Sequence, residues 1–278
     1  MDGLNISAAR DEMRRAVASA IPPRPEPEQP KANGKAGIRS SYWTLDDIAE
    51  LEPPDWLIEG LIPRSAKAII FGESGHYKSI HAVDLFCRAA HGMDYHGLET
   101  AACPVCFIAN EDAYCLAVHH VQGWHRYYGK PTGRVIVIPG NTKLDTPEDV
   151  QRAIDSARDA FGEERAAFVI DTWDRSLNGD QNQTTDVNPA LTGLDALVSA
   201  GAATVTISHS PWSAKDRTKG SVTFWANHDA RLKAEKDEAT NAARSRSFTT
   251  STQRRDWCLR SSSSSSSSRP NAAIARQL

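Results

Sequence analysis

The residues best placed to do chemistry are Lys78 and Ser79, at the end of Gly72-Glu73-Ser74-Gly75-His76-Tyr77-Lys78-Ser79. A lysine ammonium is a point cation for phosphate oxygens, and a serine hydroxyl is a hard oxygen donor for Mg²⁺. Before the stretch lies the apolar run Ala68-Ile69-Ile70-Phe71, which reads as a buried strand. After it, Ile80, Val83, Asp84, Phe86 and Cys87 begin a helical pattern. Strand, glycine-bearing loop, Lys-Ser and helix together form the layout of a phosphate-binding P-loop. A helix start offers unpaired N–H groups and a positive dipole end, and glycines let the loop curl further N–H groups around the same anion. Gly72, Glu73, Ser74, Gly75, His76, Tyr77, Lys78 and Ser79 are therefore the candidate nucleotide contacts. Lys78 faces the β and γ phosphates, and Ser79 ligates Mg²⁺.

One position departs from the G-x-x-x-x-G-K-[ST] pattern. Tyr77 stands where a glycine precedes the lysine. Gly72 and Gly75 supply the curl, so Tyr77 is expected as a tolerated departure, with negative φ and its ring turned from the phosphates.

Three further strand ends carry polar groups. Val105-Cys106-Phe107-Ile108-Ala109 closes on Asn110-Glu111-Asp112, Ala167-Phe168-Val169-Ile170 on Asp171, and Thr204-Val205-Thr206-Ile207-Ser208 on His209. In an open α/β sheet, ligands bind beyond the carboxyl ends of the strands. Asp171 has the position of a Walker B carboxylate holding Mg²⁺ opposite Ser79. Glu111 is the candidate base for the attacking water, with Asp112 as its local rival. His209 is placed to sense the terminal phosphate. Arg217 and Lys219, in the polar loop that follows, are candidates to reach a neighbouring subunit's γ-phosphate.

The elements that must position these groups alternate. Further strands are expected at Val135–Ile138 and Ala230–Glu235. Helices are expected from about Ala113 to Tyr128, from the Thr146 N-cap and Pro147 to about Phe161, and from Asp186 or Asn188 through Leu191, Leu194, Leu197 and Val198. Short, continuously apolar strands between helices imply a mostly parallel sheet covered on both faces.

The chain has 278 residues, 40% hydrophobic and 24% charged, with a formal net charge of −3. These are globular values, and the balance gives no overall push toward nucleic acid or membrane. The reading divides the chain into a disordered N-terminal segment and Pro-rich linker 1–40, a domain 41–239 and a low-complexity Ser/Arg-rich tail 240–278 expected to be disordered. That tail holds Ser261–Ser268 and is basic. The N-terminus lacks an apolar signal region and no stretch reaches membrane-span length, so a cytoplasmic protein is expected. The five cysteines suggest no disulfide framework. Cys103-x-x-Cys106 leads into a strand, and Cys115 and His119 do not complete a zinc pattern with it, so buried structural thiols are the expected reading.

Trp56–Pro63, the P-loop, Phe107–Asp112, Val169–Thr172 and Ile207–His209 together resemble the RecA-like P-loop ATPases of the plasmid and phage AAA family. They are most like its RepA-type hexameric replicative helicases. The resemblance covers about residues 55–236. It implies a catalytic glutamate at Glu111, a Walker B aspartate at Asp171, a strand-end histidine at His209 and trans-acting basic residues at Arg217 and Lys219. It also implies ATP and Mg²⁺ as cofactors, a homo-oligomeric ring, hexameric in the relatives, and single-stranded DNA as partner. Departures are Tyr77, Ser208-His209 where a His-His pair is common, and a serine-rich tail where terminal strands are expected. The leading expectation is a helicase-like ATPase of phage or plasmid DNA replication or recombination. The alternative is an ATP-binding switch or recombination accessory protein with weak or no turnover. A small-molecule kinase is the third reading, and the sequence offers it no evident acceptor pocket.

Overall fold

The computed structural model describes residues 44–45, 55–211 and 216–236, and the backbone of 243–249. The proline-rich segment expected at 1–40 and the serine tract lie outside the described residues. The elements below all belong to the unit Pro53–Leu278.

The apolar lead-in Trp56–Pro63 forms a small antiparallel pair, β1 (Trp56–Ile58) and β2 (Ile62–Pro63). The main sheet comprises β3 (Lys67–Gly72), β4 (Val105–Ala109), β5 (Val135–Pro139), β6 (Ala167–Asp171), β7 (Ala203–His209), β8 (Ala230–Lys236) and β9 (Ala243–Thr249). Its spatial order is β5-β4-β6-β7-β3-β8-β9, parallel throughout except for the final β8–β9 pair. The expected α/β architecture with a mostly parallel sheet is present. The tail, however, does supply a strand: β9 continues the sheet beyond residue 239. Its Ala243–Thr249 segment lies at the sheet edge, paired through the backbone to β8.

Side chains alternate between two cores, as period-2 geometry requires. On one face Ala68, Ile70, Val105, Phe107, Val169 and Val205 pack with β1, β2, α1 (Lys78–Ala90) and α2 (Gln122–Tyr128). On the other, Ile69, Phe71, Cys106, Ile108, Phe168 and Ile170 pack with α3 (Pro147–Phe161), α4 (Thr184–Ala200) and Phe224 of α5 (Val222–Ala226). Both predicted cysteines of the C-x-x-C are buried, and burial pushes Cys103 up to about 11 and Cys106 up to about 12.

The helix predicted over 113–128 is present, with a π-helical segment at Cys115–Val121 continued by α2 and ended by Gly129 in the left-handed region at φ 61°. Two local expectations need correction. α3 starts at Pro147 as expected, but Thr146 makes no side-chain cap. Its hydroxyl instead accepts from the Asn178 amide, while Asp149 accepts the Lys143 N–H. α4 begins at Thr184, not after Asp186 or Asn188. The Asp186 carboxylate is committed to the Asp180 N–H at 2.9 Å, closing the preceding loop.

Helix α1, which carries Lys78 and Ser79, is pinned by Asp84. That carboxylate accepts from Arg88 at 3.0 Å and from the Trp124 indole at 2.8 Å, while Arg88 reaches the Tyr128 hydroxyl at 2.6 Å. These bonds tie α2 to the P-loop helix.

Two buried histidines make the fold acid-sensitive. His228 Nδ1 donates to the Phe224 carbonyl at 2.8 Å, so Nε2 accepts from the Thr206 hydroxyl at 3.1 Å and the ring is neutral. Burial pushes His228 down to about 3 and His81 down to about 4 from the ordinary 6.5. The folded values lie below the unfolded one. The unfolded chain therefore takes up protons that the folded chain refuses, and stability falls as pH drops below 6.5. With a limiting slope of about 1.4 kcal/mol per pH unit per histidine, the pair costs on the order of 3 kcal/mol between pH 6.5 and 5. Asp171, raised by burial to about 6, acts in the opposite sense over part of that range. Denaturant midpoints at pH 7 and 5 should therefore be compared with those of His228→Gln, which should lose about half the histidine slope. An unaltered slope would contradict the neutral buried ring.

Candidate nucleotide site

The P-loop begins where β3 runs out. Gly72 cannot carry a side chain, since a Cβ there would lie 2.3 Å from the Ala234 carbonyl oxygen of β8. Its own carbonyl accepts the Ser210 N–H at 3.0 Å, which joins the loop to the end of β7. Gly75 turns with φ +78° into open space. Tyr77 then adopts φ 58°, ψ 26°, the left-handed conformation that glycine would take without strain. The negative φ expected for Tyr77 is therefore wrong. The loop must curl here to enter α1, and Gly72 and Gly75 lie too far back to supply that turn. A non-glycine residue in this conformation costs about 1–2 kcal/mol. The Tyr77 carbonyl accepts the first helical N–H, from His81, at 2.9 Å. No side chain caps the helix start and no acid occupies the first turn, so nothing negative on α1 competes there with a phosphate.

Lys78 is buried at 6% exposure. Its Nζ donates to the Glu73 carbonyl at 2.8 Å and lies 3.2 Å from His209 Nδ1. An ammonium can only donate, so Nδ1 is the acceptor and the imidazole carries its proton on Nε2. Electrostatics agree. Burial, and then the Lys78 charge, push His209 below the ordinary histidine range. Burial also lowers Lys78, against the opposing pull of Asp171, Glu111 and Asp174.

Asp171 ends β6 in register with Ala109 of β4 and Ile207 of β7. Burial raises its carboxyl to about 6, although the Ser79 hydroxyl bonded to it pulls the other way. Its Oδ1 is buried without a hydrogen-bond partner. A desolvated carboxylate oxygen beside a serine hydroxyl is an all-oxygen donor set suited to Mg²⁺. Ser79 and Asp171 would hold the ion, which when bound supplies charge neutralisation for a transferring phosphoryl group.

Glu111 lies exposed at the end of β4, and its charge acts on Lys78, Asp171 and His209. Its neighbours are otherwise engaged. Asn110 clamps Thr142 and Ser176, giving 2.8 Å bonds to each, and Asp112 accepts the Cys115 N–H at 2.9 Å. Asp112 thus caps the π-helical segment, whereas Glu111 is the acid whose charge reaches Lys78, Asp171 and His209.

A family model described as an AAA domain matches residues 35–215. The chain belongs to this AAA domain family. Its parallel sheet brings the glycine-bearing loop and the strand-end acids together at the carboxyl ends of neighbouring strands. No curated protein matches the chain. Among solved structures, a crystal structure of a KaiC-like protein from the hyperthermophilic archaeon Pyrococcus horikoshii is similar, with 14% identity, a TM-score of 0.49, and coverage of 72% of this chain and 87% of that one.

The AAA-domain match includes Lys78, Glu111, Asp171 and His209 and stops before Arg217 and Lys219. Those two are exposed, and residues 212–215 before them lie outside the described residues. The Lys219 N–H nevertheless donates to the His209 carbonyl at 2.7 Å, while Thr218 between them is buried. The basic loop is thereby fastened to the end of β7.

Sequence reasoning missed Asp174. It lies on the 3₁₀ turn Trp173–Arg175, directly after β6, and its charge acts on both Lys78 and His209. Its Oδ1 is buried without a partner. Trp173, stacked on Phe224 with centroids 3.9 Å apart, fixes this turn. Cys115 Sγ lies 3.7 Å from His120 Nε2, and among the described residues no group of three metal-ligating side chains is found.

Proposed function

We propose that this AAA-family chain binds and hydrolyses MgATP, and does so as a ring-forming motor on single-stranded DNA in replication or recombination. The observation that carries the ATPase part is the convergence of Lys78, the Ser79–Asp171 pair, Glu111 and the neutral His209 beyond the carboxyl ends of the strands. Helix α1 and Lys78 hold the phosphates. Glu111 accepts a proton from water as its oxygen bonds to the terminal phosphorus. The bond to the bridging oxygen breaks and ADP leaves. Lys78 stabilises charge on the transferring group without itself forming a bond.

The motor part is supported by the resemblance to ring helicases and by the exposed Arg217 and Lys219, fastened through Lys219 to His209. In a ring these side chains reach the next subunit's site. This is tested by mixing inactive partners. Lys78→Ala protomers retain the basic loop, and Arg217→Ala/Lys219→Ala protomers retain an intact P-loop. Each alone should be inactive, and the mixture should recover a fraction of wild-type turnover. Full activity of the double variant alone, or no recovery in verified mixed assemblies, would remove the trans-acting role.

A further inference from the structure

The groups that face the terminal phosphate lie on one flank of the P-loop strand. Asp171 ends β6, His209 ends β7 and Glu111 follows β4, and all three strands lie on the β7 side of β3. A nucleoside triphosphate held by the loop with its γ-phosphate on that side must carry its nucleoside away on the other. The other side is β8. At the carboxyl end of β8, Lys236 places its Nζ over the Tyr77 ring, 5.9 Å from the centroid. The one loop residue that departs from glycine therefore directs its side chain to the flank where the nucleoside must leave.

We infer that Tyr77, backed by Lys236, is a contact for the nucleoside of bound ATP, with the ring taking the face of the base. This rests on the ATP-site reading above and adds to it a residue that determines what is attached to the phosphates. Three observations support it. Tyr77 holds a positive φ that glycine would adopt freely, so the ring is retained at a backbone cost. The ring and Lys236 are both half-buried, which limits their motion. A cation beside an aromatic ring fixes its orientation, and aromatic rings stack on any base because every base has a π face. Stacking therefore predicts tolerance among bases rather than recognition of adenine alone.

The test separates the base from the phosphates. Dissociation constants are measured at fixed Mg²⁺ for ATP and for inorganic tripolyphosphate, with wild type, Tyr77→Gly and Tyr77→Phe. Tyr77→Gly should weaken ATP by about tenfold or more and leave tripolyphosphate within about twofold. Tyr77→Phe, which keeps the ring, should stay near wild type for both. Glycine is at ease at this φ, and unchanged tripolyphosphate binding certifies the loop as intact. Equal or tighter ATP binding by Tyr77→Gly would overturn the inference, as would an equal loss for both ligands, which marks loop damage. A wild type that binds neither ligand would sink the ATP-site reading itself, and this inference with it.

Discussion

Lys78→Ala is expected to abolish ATP hydrolysis and to weaken ATP binding by on the order of ten- to hundredfold, the worth of a charge-assisted contact of about 1.5–3 kcal/mol. The cause is specific to this site. Lys78 is the buried cation among Asp171, Glu111 and Asp174, and its ammonium holds the Glu73 carbonyl and His209 Nδ1 together. Removing it leaves three acids facing an incoming polyphosphate without the buried ammonium that offsets them. It also frees His209 from its acceptor role, so the imidazole should titrate closer to its ordinary range. Purified variant and wild type are compared by nucleotide titration and phosphate release, with circular dichroism to confirm the fold. Undiminished turnover in the variant would remove the P-loop assignment.

Glu111→Gln should keep ATP binding and cut turnover by about two to four decades. The amide preserves shape but cannot take a proton from water. Asp112→Asn is the matched control. Asp112 caps the segment that begins at Cys115, and the asparagine amide oxygen can still accept that N–H, so Asp112→Asn should leave both stability and turnover nearly unchanged. If Asp112→Asn cripples hydrolysis while Glu111→Gln does not, the base is the neighbouring residue.

Where sequence and structure agree, a short-range signal was strong. The runs at Ala68, Val105, Val135, Ala167 and Thr204 each became a parallel strand, and the most continuously apolar of them, β4 and β6, are buried along their whole length. Their polar ends meet because parallel pairing aligns carboxyl ends, as the Gly72–His209 and Ala109–Asp171 partners show. What escaped depends on three dimensions. The sign of φ at Tyr77 follows from how the loop enters α1, and a tyrosine gives no local hint of a left-handed turn. Asp174 was invisible because its proximity to Lys78 depends on where β6 and α1 sit, not on their sequences. The α4 start was misplaced because Asp186 reads as a cap but serves the loop before it. β9 escaped because an edge strand held by backbone pairing needs no hydrophobic pattern.

The central claim is hydrolysis of MgATP coupled to single-stranded DNA. It is tested most directly by phosphate release from the full-length protein, with and without Mg²⁺ and with and without single-stranded DNA. The account predicts turnover that requires Mg²⁺ and rises when single-stranded DNA is added. Tight ATP binding with no phosphate release under any of these conditions would contradict it, and would leave an ATP-binding switch in its place.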